Sequence, residues 1–263
     1  PPSLFGPHSC ARRGTGDAML DNSGTITAYA PASQATGTKV ETDGGGNSLF
    51  YNSGSIDVTG TYGAYGAVLQ NFGGGYALAD NSGTITVSAV FNGADGIGVY
   101  VTDGDVLVYN SGSIYAANVY GEAAGVNVFG NVGYNFVFDN SGYIGAYSVY
   151  GDAYGVFAQL DQPHADADLT NSGTIVATSY FDVATGIGIR NHGKYGTVEV
   201  ANTGAIYATS IYGGEANGIT VDSKYTTVYN DGVVAAAAYN DPEFGYSYAY
   251  GIDASGFVAD VYL

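Results

Sequence analysis

One three-residue motif, Asn followed by Ser and Gly, recurs along the whole chain at nearly constant spacing. Six copies keep all three residues, and two later copies read Asn-Thr-Gly and Asn-Asp-Gly, each copy starting 28 to 31 residues after the one before. The asparagines of the eight copies are Asn22, Asn52, Asn81, Asn110, Asn140, Asn171, Asn202 and Asn230. A repeat of this length and regularity predicts a solenoid in which every repeat forms one turn.

Each repeat can be divided into three short strands. An isoleucine stands four positions after most of the asparagines, and small or apolar residues follow at every second place, which is the pattern of a strand with one buried face. A second strand begins at a glycine, as in Gly96–Val99, and a third leads back to the next motif through inward pairs such as Val106 and Val108.

These patterns predict an all-β fold, a right-handed single-stranded parallel β-helix over residues 21–263. It would contain about eight coils of 28–31 residues with three short strands per coil, and its handedness follows from the rule for parallel crossovers. Residues 1–20 depart from the repeat and are interpreted as a cap, a linker or an appended segment. Strand alternation points each motif asparagine inward, where coils about 4.8 Å apart would stack the amides into a structural ladder.

The Asn-Ser-Gly-x-Ile units resemble the passenger regions of bacterial autotransporters and related β-helical surface adhesins over residues 21–263. The resemblance implies export to the medium or the bacterial cell surface through a β-barrel translocator, and we therefore expect the chain to be a fragment or a processed passenger. The single cysteine, Cys10, excludes an internal disulfide framework, which is consistent with export as an unfolded chain.

The expected function is that of a non-enzymatic surface protein, an adhesin or stalk-like passenger acting as a rigid binding or structural rod. A formal charge of −18 disfavours nucleic acid and anionic membrane surfaces as partners. No stretch approaches the length of an apolar membrane span, so no membrane insertion by this segment is expected. The expected partners are a host-surface or matrix glycan or protein, or copies of the chain itself.

Aromatic residues recur ten positions after the asparagine in six consecutive repeats: Tyr62, Phe91, Tyr120, Tyr150, Phe181 and Tyr212. We interpret them as a structural stack on the inward side of the coil or at its bend. Tyrosines of outward parity are better ligand candidates. The predicted binding residues are Tyr29, Tyr115, Tyr147 and Tyr207.

An acidic series follows the aromatic residues, formed by Glu122, Asp152, Asp182 and Glu215. Carboxylates on neighbouring coils repel each other unless a cation or water intervenes, so a Ca²⁺ site is one interpretation. The other is a solvated acidic edge that keeps the protein soluble. No other cofactor is expected.

Loops between the second and third strands of adjacent coils carry the remaining chemical groups, Asp161, His164, Arg190 and His192. Together they could perform general acid–base chemistry on a polysaccharide, as a lyase or a hydrolase does. Ion pairing among exposed loops is the simpler reading, because no long loop walls a cleft around them. A third alternative is a self-assembling filament or surface-layer subunit, joined end to end as a homo-oligomer.

Overall fold

The computed structural model of the protein describes residues 8–13, 16–239 and 247–263. Every regular element in these ranges is a β-strand, and 24 strands are numbered here along the chain. The described residues accordingly include no helix that is long and apolar enough to cross a membrane.

Each coil contributes up to three strands, which stack into three columns. The first column contains β3 Thr25–Ala30, β6 Ser55–Gly60, β9 Thr84–Ala89, β11 Ser113–Asn118, β13 Tyr143–Ser148, β16 Thr174–Ser179, β19 Ala205–Ser210 and β22 Val233–Ala238. The second contains β1 His8–Arg13, β4 Ala35–Asp43, β7 Ala64–Phe72, β10 Ala94–Asn110, β12 Ala123–Asn140, β14 Ala153–Leu160, β17 Ala184–Asn191, β20 Glu215–Ser223 and β23 Tyr248–Ser255. The third contains β2 Ala18–Asn22, β5 Ser48–Asn52, β8 Tyr76–Asn81, β15 Asp166–Asn171, β18 Thr197–Asn202, β21 Tyr225–Asn230 and β24 Val258–Tyr262. The last residues of the long strands β10 and β12 complete this column.

All strand pairings are parallel and join equivalent residues of successive repeats. In the first column, Ile56 pairs with Ile85, Ile85 with Ile114, and Ile114 with Ile144. The first column forms an eight-stranded sheet, while the second and third join in a sixteen-stranded sheet through the continuous strands β10 and β12. The chain is therefore a parallel β-solenoid of about eight turns, which confirms the predicted fold class.

The motif asparagines form one continuous ladder inside the solenoid. Each Nδ2 donates to the Oδ1 of the next asparagine at 2.7–2.8 Å, from Asn22 to Asn230. Most also donate to the carbonyl oxygen two residues further on, at the turn. All but Asn230 are buried. The prediction of an inward structural ladder is confirmed.

A second polar row lies at the bend between the first and second strands. The hydroxyl groups of Ser148, Ser179 and Ser210 each donate to a carbonyl oxygen of the preceding coil at 2.8–3.0 Å. The sequence pattern marks these positions only as part of the small or apolar residues that follow at every second place in the first strand. The hydroxyl groups satisfy turn carbonyls that the sharp bend turns inward.

Strands of the coil type are also present before residue 21. The strand β1 pairs with Thr38–Asp43, and β2 pairs with Ser48–Asn52. Of the segment interpreted as a cap, a linker or an appended piece, residues 1–7 and 14–15 lie outside the described residues. The described part extends the second and third columns by one turn.

Candidate functional site

A column of glycines narrows the solenoid in the second strands. The column contains Gly66, Gly96, Gly125, Gly155, Gly186 and Gly218. A Cβ atom at any of them would lie closer than 3.0 Å to a branched side chain of the opposing first strand and to the carbonyl oxygen of the next glycine in the column. The second strands can therefore approach the first sheet only where the side chain is absent.

This close approach interrupts the alternation of the second strands by one residue. In β10, Ala94 and Ile97 both face inward, so that Asp95 and Gly98 face outward on either side of Gly96. Several outward residues flanking the glycine column are nonetheless buried, among them Asp95, Asn127 and Phe157. We call this outer face of the second strands the groove, because the glycine column draws its backbone toward the core. Its centre is lined by Tyr65, Asp95, Tyr100, Asn127, Phe129 and Phe157.

Aromatic rings run across the groove from coil to coil. The rings of Tyr100 and Phe129 are parallel within 8°, with centroids 6.5 Å apart, and Phe129 lies 5.5 Å from Phe157 at a tilted angle. Tyr154 packs on Phe157 at 4.9 Å. The guanidinium group of Arg190 lies 5.3 Å from the centre of the Phe157 ring, in cation–π contact with it.

A carboxyl group is buried among these rings. Asp95 is only 4% exposed, and its Oδ1 accepts a hydrogen bond from Asn127 Nδ2 at 3.2 Å. The Tyr100 hydroxyl lies 3.5 Å from the other oxygen, at the limit of a hydrogen bond. Burial raises the pKa of Asp95 to about 7, and repulsion by Glu122 adds to the effect, although the bonds from Asn127 and Tyr100 favour the ionised form. A carboxyl group that titrates near neutral pH in a groove is typical of functional sites.

Two buried asparagines in the groove each have a side-chain oxygen without a hydrogen-bond donor. Asn127 is 95% buried, and while its Nδ2 serves Asp95, its Oδ1 has no hydrogen-bond partner. Asn217, three coils further along the groove, has the same arrangement, with Nδ2 donating to Glu215 and Oδ1 unpartnered. Buried acceptors without a partner are rare because each costs free energy, so the two on this face call for an explanation.

The predicted acidic series lies at the bend beside this groove. The backbone positions of Glu122 and Asp152 are in register, whereas Asp182 precedes the equivalent position by one residue. Asp152 accepts hydrogen bonds from the Tyr154 hydroxyl at 3.0 Å and from the Val183 amide at 3.2 Å. Glu215 instead accepts its bond from Asn217 at 2.8 Å.

Electrostatic repulsion is visible within the first three acidic residues. Burial and the charge of Asp152 raise the pKa of Glu122, partly offset by Arg190. Burial and Asp152 likewise raise the pKa of Asp182. No group of three or more His, Cys, Asp or Glu side chains in the described ranges has the geometry to hold a metal ion. The geometry therefore gives the Ca²⁺ interpretation no support.

The predicted catalytic candidates do not converge on one point. His192 Nδ1 lies 2.9 Å from Asp161 Oδ1 in an exposed pair. The His164 ring stacks on Tyr195 at 5.0 Å, and Arg190 extends into the groove instead of toward these loops. The four residues thus divide among three separate contacts.

The predicted binding tyrosines lie on the outer face of the first sheet, where two of them join a cluster. Tyr115 and Tyr143 pack over the bare backbone of Gly145 from two sides. Tyr147 contacts Tyr180 edge to face, with centroids 5.9 Å apart. The other two, Tyr29 and Tyr207, are exposed on different coils of the same face.

The six recurring aromatic residues stack as predicted, with successive centroids 5.0–5.5 Å apart. Of the two predicted positions, the inward side of the coil or its bend, the bend is the one observed: the rings stand at its outside, and Tyr120, for example, is 56% exposed. At this bend the polar serine row already fills the inside. Since neighbouring rings cover each other's faces, the stack presents ring edges to solvent.

Sequence reasoning did not find Asp95 or Asn127 as site residues. The glycine that opens each second strand was the available signal, because a glycine inside a strand indicates close backbone approach. Comparison with protein-family models, curated proteins and solved structures finds no match for this chain. Fold and site together define the class: a β-solenoid protein with a polar ladder inside and an aromatic, acidic groove outside.

Proposed function

We propose that this chain is a non-enzymatic binding rod of the bacterial surface, an adhesin or stalk-like passenger segment that is secreted or held at the cell surface. The observation that carries the proposal is the unbroken asparagine ladder from Asn22 to Asn230. It holds every coil in one register, so the outer faces of the solenoid repeat regularly along its length. A stiff scaffold with repeated outer faces suits presentation of contacts to another surface.

The outer faces offer groups suited to recognition. The first sheet carries exposed tyrosines, including Tyr29 and Tyr207, and the second-strand column carries the groove. Tyrosine is enriched at binding interfaces because it combines a large apolar ring with a polar hydroxyl group. The partner would be a glycan or a protein of a host surface or matrix.

The arrangement of the loop residues supports a non-enzymatic role. General acid–base catalysis requires its groups to converge on one substrate position. Here His164 and Arg190 stand in contacts separate from the pair formed by Asp161 and His192. The enzyme reading would regain support if a polysaccharide were cleaved by the wild type and spared by a His164→Ala/His192→Ala variant.

Self-assembly is a second candidate, favoured by the exposed last coil. Most of β23 and all of β24 are exposed, and Val258 and Tyr262 present apolar surface there. An open strand edge accepts a further strand, either from the next coil of a longer chain or from another molecule. Light scattering against concentration tests the second source, and a strictly monomeric species at high concentration would exclude it.

The surface-rod proposal is tested by location and by adhesion. Antibodies raised against the chain should label intact cells of the producing bacterium or detect the chain in the medium. Fluorescent beads coated with the chain should adhere to host cells or extracellular matrix more strongly than beads coated with albumin. Detection in the cytoplasm alone, or adhesion equal to that of albumin-coated beads, would contradict the proposal.

A further inference from the structure

We infer that the groove is a binding site for a neutral glycan, whose hydroxyl groups donate hydrogen bonds to Asp95 and Asn127. The inference rests on the proposed function of a binding rod and names its ligand class and its site. Three properties of the groove lead to it: unsatisfied acceptors, free aromatic surface and the sign of the nearby charges.

The unsatisfied polar atoms require a ligand that donates hydrogen bonds. An ionised Asp95 must receive the amide N–H of Asn127, and this orientation leaves Asn127 Oδ1 without a donor. Turning the amide by 180° would only place its oxygen against the carboxylate and orphan the N–H instead. Two adjacent hydroxyl groups of a sugar can donate one bond to the carboxylate and one to Asn127 Oδ1.

Aromatic rings provide the apolar half of such a site. Tyr100 and Phe129 are only half-buried and lie parallel with centroids 6.5 Å apart, so part of their ring surface remains uncovered on the outside of the sheet. Sugar rings present C–H groups on their faces, which pack on aromatic surface while the hydroxyl groups at the rim reach polar partners. The stack of Tyr62 to Tyr212 cannot act in this way, since its faces are occupied.

Charge restricts the class of glycan. Glu122 and Asp152 stand at the groove edge, and Arg190 is the basic group that contacts its aromatic row. An anionic polysaccharide would place its carboxylates or sulfates against three acidic side chains. A neutral glycan meets no such repulsion.

A ligand can reach Asp95 and Asn127 only if the side chain of Tyr100 moves. The ring of Tyr100 leans across Gly98, where a Cβ atom would stand 3.3 Å from the ring and 3.6 Å from Asp95 Oδ2. Tyr100 is half-buried, and the 3.5 Å contact from its hydroxyl group to Asp95 is weak. For a ligand to reach Asp95 and Asn127, Tyr100 would change its rotamer, and the bare backbone of Gly98 would leave room for the ligand.

A quaternary ammonium group is the rival occupant, since a carboxylate among aromatic rings also suits a cation. The glycan and the quaternary ammonium group differ in which hydrogen bonds of the groove they can complete. A tetramethylammonium ion has no N–H or O–H to donate and would leave Asn127 Oδ1 unpartnered. The glycan is therefore the ligand that the groove favours.

The test is affinity electrophoresis of the folded chain in gels containing a β-glucan, an α-mannan, a β-galactan or, as an anionic probe, polygalacturonate. Retardation by at least one neutral polysaccharide is expected, and none by polygalacturonate. Asp95→Asn and Asn127→Leu should each weaken binding roughly tenfold to a hundredfold, the loss expected for a hydrogen bond to a buried charged or orphaned group. Asp57→Asn, on the outer face of the first sheet, is the matched control and should bind as the wild type does.

Circular dichroism checks the fold of each variant, and Tyr100→Phe serves as a third probe that keeps the ring. If Tyr100 only covers the pair, this variant should bind at least as tightly as the wild type. The inference is overturned by any of three results: no retardation by a neutral polysaccharide, equal retardation of the wild type and both groove variants, or competition by tetramethylammonium. The adhesion of coated beads is scored separately, so loss of glycan binding with retained adhesion rejects the groove and spares the surface rod.

Discussion

Two sets of buried asparagines occupy this solenoid and behave in opposite ways. Inside, Asn140 donates to Asn171 and accepts from Asn110, so that its amide is satisfied on both sides. In the groove, Asn127 serves only Asp95 and leaves an acceptor empty. The first arrangement stabilises the fold, whereas the second costs free energy until something binds. Burial alone therefore does not distinguish the ladder asparagines from Asn127, whereas the pairing of their side-chain oxygens does.

The largest expected effect concerns Asp95. Its pKa is about 7 in the folded state and about 3.8 when unfolded, so the folded protein holds a proton that the unfolded chain releases between these values. The associated stability is complete below pH 4 and is lost as the pH rises through 7, a difference of about 4 kcal/mol. Asp95→Asn should thus be more stable than the wild type at pH 8 and nearly equal to it at pH 4.

Urea unfolding at pH 4, 6 and 8 measures this difference. The carboxyl groups of Glu122 and Asp182 also have a raised pKa, so the wild type is compared with the variant and not with itself across pH. A gap between the two proteins that stays constant from pH 4 to 8 would show that Asp95 is not held protonated by the fold.

The second prediction compares the two asparagine sets with one substitution. Asn140→Leu removes two ladder bonds and leaves the amides of both neighbours partly unsatisfied, which should lower the free energy of unfolding by about 3 kcal/mol. Asn127→Leu removes one hydrogen bond to Asp95 together with an unpartnered acceptor, and because these two effects oppose each other the free energy of unfolding should fall by about 1 kcal/mol or less. Equal losses in both variants, measured by urea unfolding at pH 4, would erase the distinction between ladder and groove.

A third prediction concerns the glycines that place the groove. In Gly155→Ala the new methyl group would collide with Ile175, and we expect a loss of about 2 kcal/mol from overpacking. Gly251 occupies the same column in the last coil, where a Cβ atom would meet nothing within 4 Å. Gly251→Ala should therefore be nearly neutral. A similar drop in melting temperature for both variants would argue against close approach of the second strands to the first sheet at the glycine column.

The smallest expected effect is in the exposed aromatic stack. Tyr150 contacts Tyr120 at 5.1 Å and Phe181 at 5.0 Å, both nearly parallel. Tyr150→Ala should cost about 1 kcal/mol, because each stacked pair contributes a fraction of that beyond burial. Retardation in polysaccharide gels should not change. Loss of retardation in this variant would move the glycan site from the groove to the stack.

Period and parity made the fold predictable, whereas the site depended on contacts between repeats. Isoleucines four positions after the motif identified the first strand, and the spacing of the asparagines fixed the register. At Tyr120 parity left two positions open, the inward side of the coil or its bend, and the structure places the ring at the outside of the bend. Asp95 lacks equivalents in most other repeats, so no recurring residue marks it in the sequence. Its burial depends on rings from three coils, which no single repeat specifies.

The asparagine ladder has a direction as well as a register. Every Nδ2 points toward the following coil, so the amide dipoles are aligned head to tail from Asn22 to Asn230. Aligned hydrogen bonds polarise one another, and each completed coil presents a strengthened donor to the next. A folded coil therefore offers a donor on one side and an acceptor on the other, and a neighbouring coil can order on either. When the chain emerges amino terminus first, each folded coil is the template on which the next coil orders.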